Sequence, residues 1–287
     1  MRDARGHFSS IVLNDKVWAI GGWDPYNKAR KMREGTDAKS LKSIEIYDPL
    51  TSRWSVGPEM VDRRAFHQSA IVDGKVYVVG GFDGTRDLDL VDRLDLERGE
   101  WVRGAPLRHP RSGFAAGVVR DRLYIMGGNN GLECLGSVES LDPREGKWRR
   151  EHSLLYHRSY PGSAHAGDCL MVAGGNFGKT FLNTVEMFDA RKGAWRAMPS
   201  MNVQRNGVGL ALVGDSLFAM GGFDGTTDCL SILECLDMSK NVPHGTWDLL
   251  SEMTSARDGC CSEMIPHSKA WNIRPPRGAE TEIEEEM

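Results

Sequence analysis

The chain has 287 residues, 40% hydrophobic and 26% charged, a composition that excludes general disorder and supplies enough apolar surface for a sizeable core. Its net charge of −4 comes from 36 Lys and Arg against 40 Asp and Glu, and five of those carboxylates crowd the end as Glu280, Glu282, Glu284, Glu285 and Glu286. The remainder is close to neutral, so no nucleic-acid footprint is visible.

No apolar h-region opens the chain, and its apolar runs are strand-sized, far short of the roughly 20 residues of a membrane helix. The six cysteines form no C-x-x-C pair, and no N-x-S/T site occurs. A reducing, cytoplasmic setting is expected, with no membrane partner.

The elements repeat. Gly-Gly pairs at 21–22, 80–81, 127–128, 174–175 and 221–222 are followed by Trp54, Trp101, Trp148, Trp195 and Trp247, and the last three steps between pairs are 47 residues each. In chain order, each unit starts after an Arg with a run rich in small residues, such as 205–213. A two-residue turn follows (Asn14-Asp15, Asp73-Gly74, Arg120-Asp121, Gly167-Asp168, Gly214-Asp215) and predicts a hairpin. Next comes a continuous apolar run closed by the glycines, as in 76–79 and 123–126, suited to a strand buried on both faces. A segment such as 185–189 and a short Trp strand complete four antiparallel strands, the makings of one propeller blade.

The tryptophans fill the gaps between neighbouring sheets. The paired glycines end an inner strand where positive φ is needed or where no Cβ fits against the next blade. No G-x-G-x-x-G opens a helix, so a nucleotide loop is not expected.

The paired glycines, the aromatics ahead of them (Trp18, Tyr77, Tyr124, Phe218), the Glu-x-x-Asp of the third strand (Glu45/Asp48, Glu139/Asp142, Glu186/Asp189, Glu234/Asp237) and the spaced Trp resemble the kelch repeat. Met171 and Asp92 are the departures. The expected fold is all-β: a kelch β-propeller of four-stranded antiparallel blades over 1–265, with five complete blades plus one strand of a sixth at about 258–265. A disordered acidic tail follows at 266–287.

A Met or Leu stands four residues before every strand-one Arg, from Met1/Arg5 to Met253/Arg257, giving six junctions for five complete units. The sequence is most similar to the C-terminal kelch domain of kelch-like BTB proteins, whose last strand completes the first repeat. That resemblance implies a fragment of a longer protein with BTB and BACK domains upstream; closure with five blades is the alternative.

Arg5, Arg64, Arg111, Arg158, Arg205 and Arg257 enter strand one at the same level, so equivalent blades would gather them around one mouth of the central channel. Guanidinium forks suit carboxylates and peptide carbonyls, in structure and in recognition. Trp23, Phe82, Asn129, Asn176 and Phe223, the residues after the glycines, should reach the same mouth, and aromatics beside Arg are hot-spot material. The resemblance implies ligand-binding residues at these two places. Tyr160 and His67, just after their arginines, are further candidates. The loop after Trp23 is 12 residues longer than its equivalents and basic, with Lys28, Arg30, Lys31 and Arg33.

The eight histidines are scattered, without metal-ligand spacing to a Cys, and no Ser-His-Asp set or carboxylate pair stands out. Vicinal Cys260 and Cys261 read as small buried residues. No enzyme, cofactor or metal is expected. The resemblance implies a protein-recognition module, the substrate-binding part of a cullin-RING ubiquitin ligase adaptor that reaches its cullin only through a BTB domain absent from these residues. An actin-binding scaffold and a sugar mutarotase-type enzyme are the alternatives. An arginine-lined mouth further implies that Arg64→Ala with Arg111→Ala removes partner capture while leaving the melting temperature nearly unchanged.

Overall fold

A computed structural model describes residues 1–24, 26, 39–226, 229–239 and 245–259. Its regular elements are strands, arranged as five four-stranded antiparallel blades. Blade 1 holds β1 (Ser9–Leu13), β2 (Lys16–Ile20), β3 (Ile44–Asp48) and β4 (Arg53–Val56); blade 2 holds β5 (Gln68–Val72), β6 (Lys75–Val79), β7 (Val91–Asp95) and β8 (Glu100–Arg103). Blade 3 holds β9 (Ala115–Val119), β10 (Arg122–Met126), β11 (Val138–Asp142) and β12 (Lys147–Glu151). In blade 4, a two-residue ribbon of β15 (Asn176–Phe177) and β16 (Thr180–Phe181) interrupts β13 (Gly162–Ala166), β14 (Cys169–Ala173), β17 (Val185–Asp189) and β18 (Ala194–Met198). Blade 5 holds β19 (Gly209–Val213), β20 (Ser216–Met220), β21 (Leu233–Asp237) and β22 (Trp247–Leu249). Among the described residues no helix is long and apolar enough to cross a membrane.

The inner strands β1, β5, β9, β13 and β19 stand side by side around a channel of ≈ 460 Å³ lined by small residues such as Ser69, Gly117 and Ser163. Short side chains let five strands crowd one axis. The second strands carry the apolar runs, and Val76–Val79, Leu123–Met126 and Leu170–Ala173 are buried throughout. Cores lie between blades: Tyr77, Val79 and Val91 of blade 2 pack with Leu123, Ile125 and Trp148 of blade 3.

Each Trp from the second blade onward donates its indole N–H to a carbonyl at the end of the preceding blade. Trp148 reaches Ala105 O at 3.0 Å, Trp195 reaches His152 O at 2.9 Å and Trp247 reaches Pro199 O at 2.9 Å. Trp54, in the first blade, is the exception to the expectation of core tryptophans; it is 37% exposed, and its ring lies tilted against that of Tyr47 at 5.2 Å.

Local chemistry fixes the turns. Both residues of Asn14-Asp15, Asp73-Gly74 and Arg120-Asp121 have positive φ, as a hairpin turn of matching twist requires. The Asp of Glu-x-x-Asp caps the outer turn: Asp48 Oδ1 accepts the Leu50 N–H at 2.9 Å, and Asp189 Oδ1 the Arg191 N–H at 2.9 Å. Gly81 meets both requirements read for the paired glycines, with φ of 99° and an added Cβ that would lie 2.6 Å from His67 Cβ.

The Glu of that motif meets the strand-one Arg. Arg111 donates to Gly127 O at 2.9 Å, Ser137 O at 3.2 Å, Ser137 Oγ at 3.0 Å and Glu139 Oε1 at 2.6 Å. Arg158 makes the same set with Gly174 O, Thr184 O, Thr184 Oγ1 and Glu186, and Arg205 clasps Gly221 O, Ile232 O and Glu234. Arg5 clasps Gly21 O, Ser43 O and Glu45, and Arg64 clasps Gly80 O, Leu90 O and Asp92.

The carboxylates also hold the incoming loop, Glu186 accepting the N–H groups of Leu155 at 2.6 Å and Tyr156 at 3.1 Å. Asp92 is one methylene shorter and takes Arg103 Nε at 3.1 Å instead. From Arg64 onward the main chain of each Arg ties backward: Gly81 N–H donates to Arg111 O and Gly128 N–H to Arg158 O.

These contacts correct the sequence expectation. Arg64, Arg111, Arg158 and Arg205 are 0% exposed, and the Arg5 side chain is likewise shielded, so their guanidinium groups face into the blades rather than the mouth. Burial holds Arg64, Arg111 and Arg158 below the ordinary arginine value, opposed by the facing carboxylates. Arg257 is exposed, although its carbonyl keeps the pattern by accepting the Gly222 N–H at 2.7 Å. His67 is also interior: 1% exposed, its Nε2 sits 2.9 Å from Ser9 Oγ, and burial together with Arg64 and Arg5 pulls its pKa down to about 3. All but residues 258 and 259 of the sixth-blade strand expected at about 258–265, the acidic tail, most of the basic loop and the vicinal cysteines lie outside the described residues.

Arg111→Ala leaves Glu139 buried without its cation and is expected to lower stability by about 3–5 kcal/mol in urea unfolding. Arg111→Lys recovers only part, because an ammonium cannot span the same acceptors; an unchanged unfolding midpoint in both variants would refute the clasp. His67 gives a pH signature. Between pH 6.5 and about 3 the unfolded chain binds a proton that folded His67 refuses, so acidification through that window destabilises the fold. The slope is about 1.4 kcal/mol per pH unit, and His67→Gln should remove it, as measured by urea unfolding across that range.

Candidate functional site

The end of the propeller that carries the Gly-Gly loops is framed by main chain. The residue after each glycine pair bridges the residue after an Arg: Trp23 with Gly6, Phe82 with Ala65, Asn129 with Ser112, Asn176 with Ser159 and Phe223 with Asn206. One position further, two beyond each Arg, stand His7, Phe66, Gly113, Tyr160, Gly207 and Gly259, all with φ between 48° and 63°.

These residues are linked head to tail. The Phe66 N–H donates to His7 O at 3.0 Å, Gly113 to Phe66 O at 2.8 Å, Tyr160 to Gly113 O at 2.6 Å and Gly207 to Tyr160 O at 2.9 Å. Gly259 lies between the two ends, since a Cβ on Gly207 would sit 2.8 Å from Gly259 N and one on Gly259 would sit 2.8 Å from His7 Nδ1. Six equivalent positions thus encircle the axis over five blades.

Glycine adopts this backbone freely, whereas Phe66 and Tyr160 hold it at about 1–2 kcal/mol each. Their rings make the mouth aromatic on one side. Phe66 lies 4.4 Å from the His7 ring, 5.6 Å from Tyr160 and 6.3 Å from Trp23, and Trp23 lies 6.4 Å from Phe82. The Tyr160 ring covers Gly113, where a Cβ would be 2.7 Å from it. Lys39 places its ammonium 5.7 Å from the Trp23 ring centre. Across the mouth, Phe223 packs edge-on against Phe181 at 5.5 Å.

Two carboxylates complete the aromatic side. Asp87 bridges Phe82 through the backbone and is raised above the usual carboxylate range, first by burial and then by Asp83, against a hydrogen bond from Ser112. Asp83 Oδ1 accepts N–H groups from Thr85 at 2.7 Å and Arg86 at 3.0 Å. Burial raises the Tyr160 hydroxyl, with Asp87 and Cys134 adding to it.

Trp23, Phe82, Phe223 and Tyr160 are half-buried at the mouth, where the sequence places them. Asn129 and Asn176 are there too, but their amides shape their own loops: Asn129 Oδ1 accepts the Gly131 N–H at 2.6 Å, and Asn176 Nδ2 donates to Gly178 O at 2.8 Å. The side chains of Arg5, Arg64, Arg111, Arg158, Arg205 and His67 are buried rather than presented there, and Arg257 alone of the six arginines is exposed. Phe66 and His7 are not among the residues the sequence singles out, although registering the units on the Arg gives a column of three aromatic rings and three glycines. Among the described residues, no three His, Cys, Asp or Glu gather as metal ligands.

The KLHDC2/KLHL20/DRC7 Kelch-repeats domain matches residues 59–222, and the Kelch motif matches 4–61 and 204–254. Human Kelch repeat and BTB domain-containing protein 12 is 30% identical over 106 residues, 35% of this chain and 16% of that protein. Kelch-like protein 7 of Rattus norvegicus is 36% identical over 67 residues, 23% of this chain and 11% of that protein. The matched segments are thus a small part of either relative's length. Among solved structures, the chain is similar in fold to YjhT, with a TM-score of 0.74 at 15% identity, covering 90% of this chain and 87% of that one. With registered blades, the Arg–Glu clasps and a family model spanning more than half of its length, this chain belongs to the KLHDC2/KLHL20/DRC7 kelch-repeats family and is a five-bladed kelch propeller resembling kelch-like proteins.

Proposed function

We propose that this propeller is a protein-interaction module whose aromatic mouth holds a peptide segment of its partner, as the recognition part of a kelch-like, BTB-type ubiquitin ligase adaptor. The kelch-repeat relatives support an interaction module, and the adaptor role rests on their resemblance alone. One observation carries the mouth as the contact surface: Phe66 and Tyr160 occupy left-handed backbone that Gly113 and Gly207 fill at equivalent positions without strain. Strain retained where glycine would fit points to a role for the side chains. Rigid, half-exposed aromatics on a fixed frame are also the usual anchors of protein interfaces.

Replacing Phe66 and Tyr160 together by Gly relieves the strain and keeps the hydrogen-bonded ring, so the melting temperature should hold or rise. The same variant should lose the proteins that the parent retains, as measured by quantitative mass spectrometry of paired affinity captures. Identical captured sets would refute the mouth as the contact surface.

A further inference from the structure

We propose that the mouth recognises a cationic side chain, an arginine or lysine of a partner peptide, received by the Asp87 carboxylate beside the rings of Trp23, Phe66, Phe82 and Tyr160. This inference rests on the mouth being a recognition surface and adds the chemistry of its occupant.

The first argument is where the fixed charges lie. The clasp guanidiniums of Arg64, Arg111, Arg158 and Arg205 are fully shielded, so they do not reach a peptide at the mouth. Among the described residues around Asp87, the mouth offers π-faces and the carboxylates of Asp83 and Asp87, with Arg86 beside Asp83 and Lys39 at Trp23.

The second argument is proximity. Trp23 adjoins Phe82, Phe66 lies between Trp23 and Tyr160, and Phe82 bridges Asp87 through the backbone. The ring contacts and that bridge place four aromatic rings and Asp87 on one side of the mouth, where the acid also raises the Tyr160 hydroxyl. Aromatic faces attract ammonium and guanidinium groups, the more so when water is excluded.

The third argument is the state of Asp87. It is in no ion pair among the described residues; its neighbours are the Ser112 hydroxyl and a second acid, Asp83, which has Arg86 Nε at 3.7 Å. A half-buried carboxylate beside another and without a cation is complementary to an incoming positive charge. The fourth argument is precedent within the site, since the Lys39 ammonium already stands over Trp23.

The test is selection of a random peptide library of about twelve residues, displayed on phage, against the 287-residue chain. Counter-selection on the Phe66→Gly/Tyr160→Gly variant keeps only mouth-dependent binders. The expected consensus carries Arg or Lys, binds more weakly as salt rises, and loses about tenfold or more in affinity for Asp87→Asn. Asn can still accept the Ser112 hydrogen bond, and Asp87 lies above its ordinary pKa, so this variant should melt no lower than the parent. Mouth-dependent peptides that are acidic or uncharged, or basic ones indifferent to Asp87→Asn, would overturn the cationic assignment and leave the mouth as a recognition site. Failure to recover any mouth-dependent peptide would overturn the mouth reading, and this assignment with it.

Discussion

One buried ion pair per blade governs how the chain is put together. An Arg entering the inner strand must satisfy its donors away from water, and its terminal nitrogens do so on the carbonyl of the first glycine, the loop that leads into the third strand, and the carboxylate within that strand, while Nε of Arg111 is left without a partner. Removing charges from water is expensive, so the pair is tolerable only with nearly every hydrogen bond made. That demand fixes three strands relative to one another. The same Arg's carbonyl receives the N–H of the preceding blade's second glycine, so a single residue sets both the inside of one blade and its seam with the last.

Much of this frame is legible in the sequence because it repeats. Glycine pairs, hairpin turns and spaced Trp recur in register, and each marks a backbone or packing requirement that chemistry makes narrow. Depth was not legible. Sixfold registration of Arg fits a ring at the mouth and a set of internal clasps equally well, and hydropathy does not separate them. The deciding signal was the acid 28 residues after Arg64, Arg111 and Arg158, a partner in register with each guanidinium. His67 misled for a related reason: it follows its Arg by one position more than Tyr160 does, and that step turns it from the mouth toward Ser9 and the interior.

The mouth follows another logic. Its scaffold is peptide N–H and C=O, through the bridges beside the glycines and the inner chain from His7 to Gly207. Side chains there are not needed to hold those bonds. An alignment of units scores such positions as variable, so Phe66 escaped notice beside the invariant Arg64. Its distinguishing property is a positive φ, which residue type does not announce for a phenylalanine.

The inner chain of peptide groups therefore divides labour within single residues. At Phe66 and Tyr160 the backbone belongs to the architecture and the ring belongs to the surroundings. Such a propeller can change its vocabulary without changing its grammar: new side chains at the inner positions alter what is grasped, while the cohesion of the blades, lodged in their shielded charges, is left almost untouched.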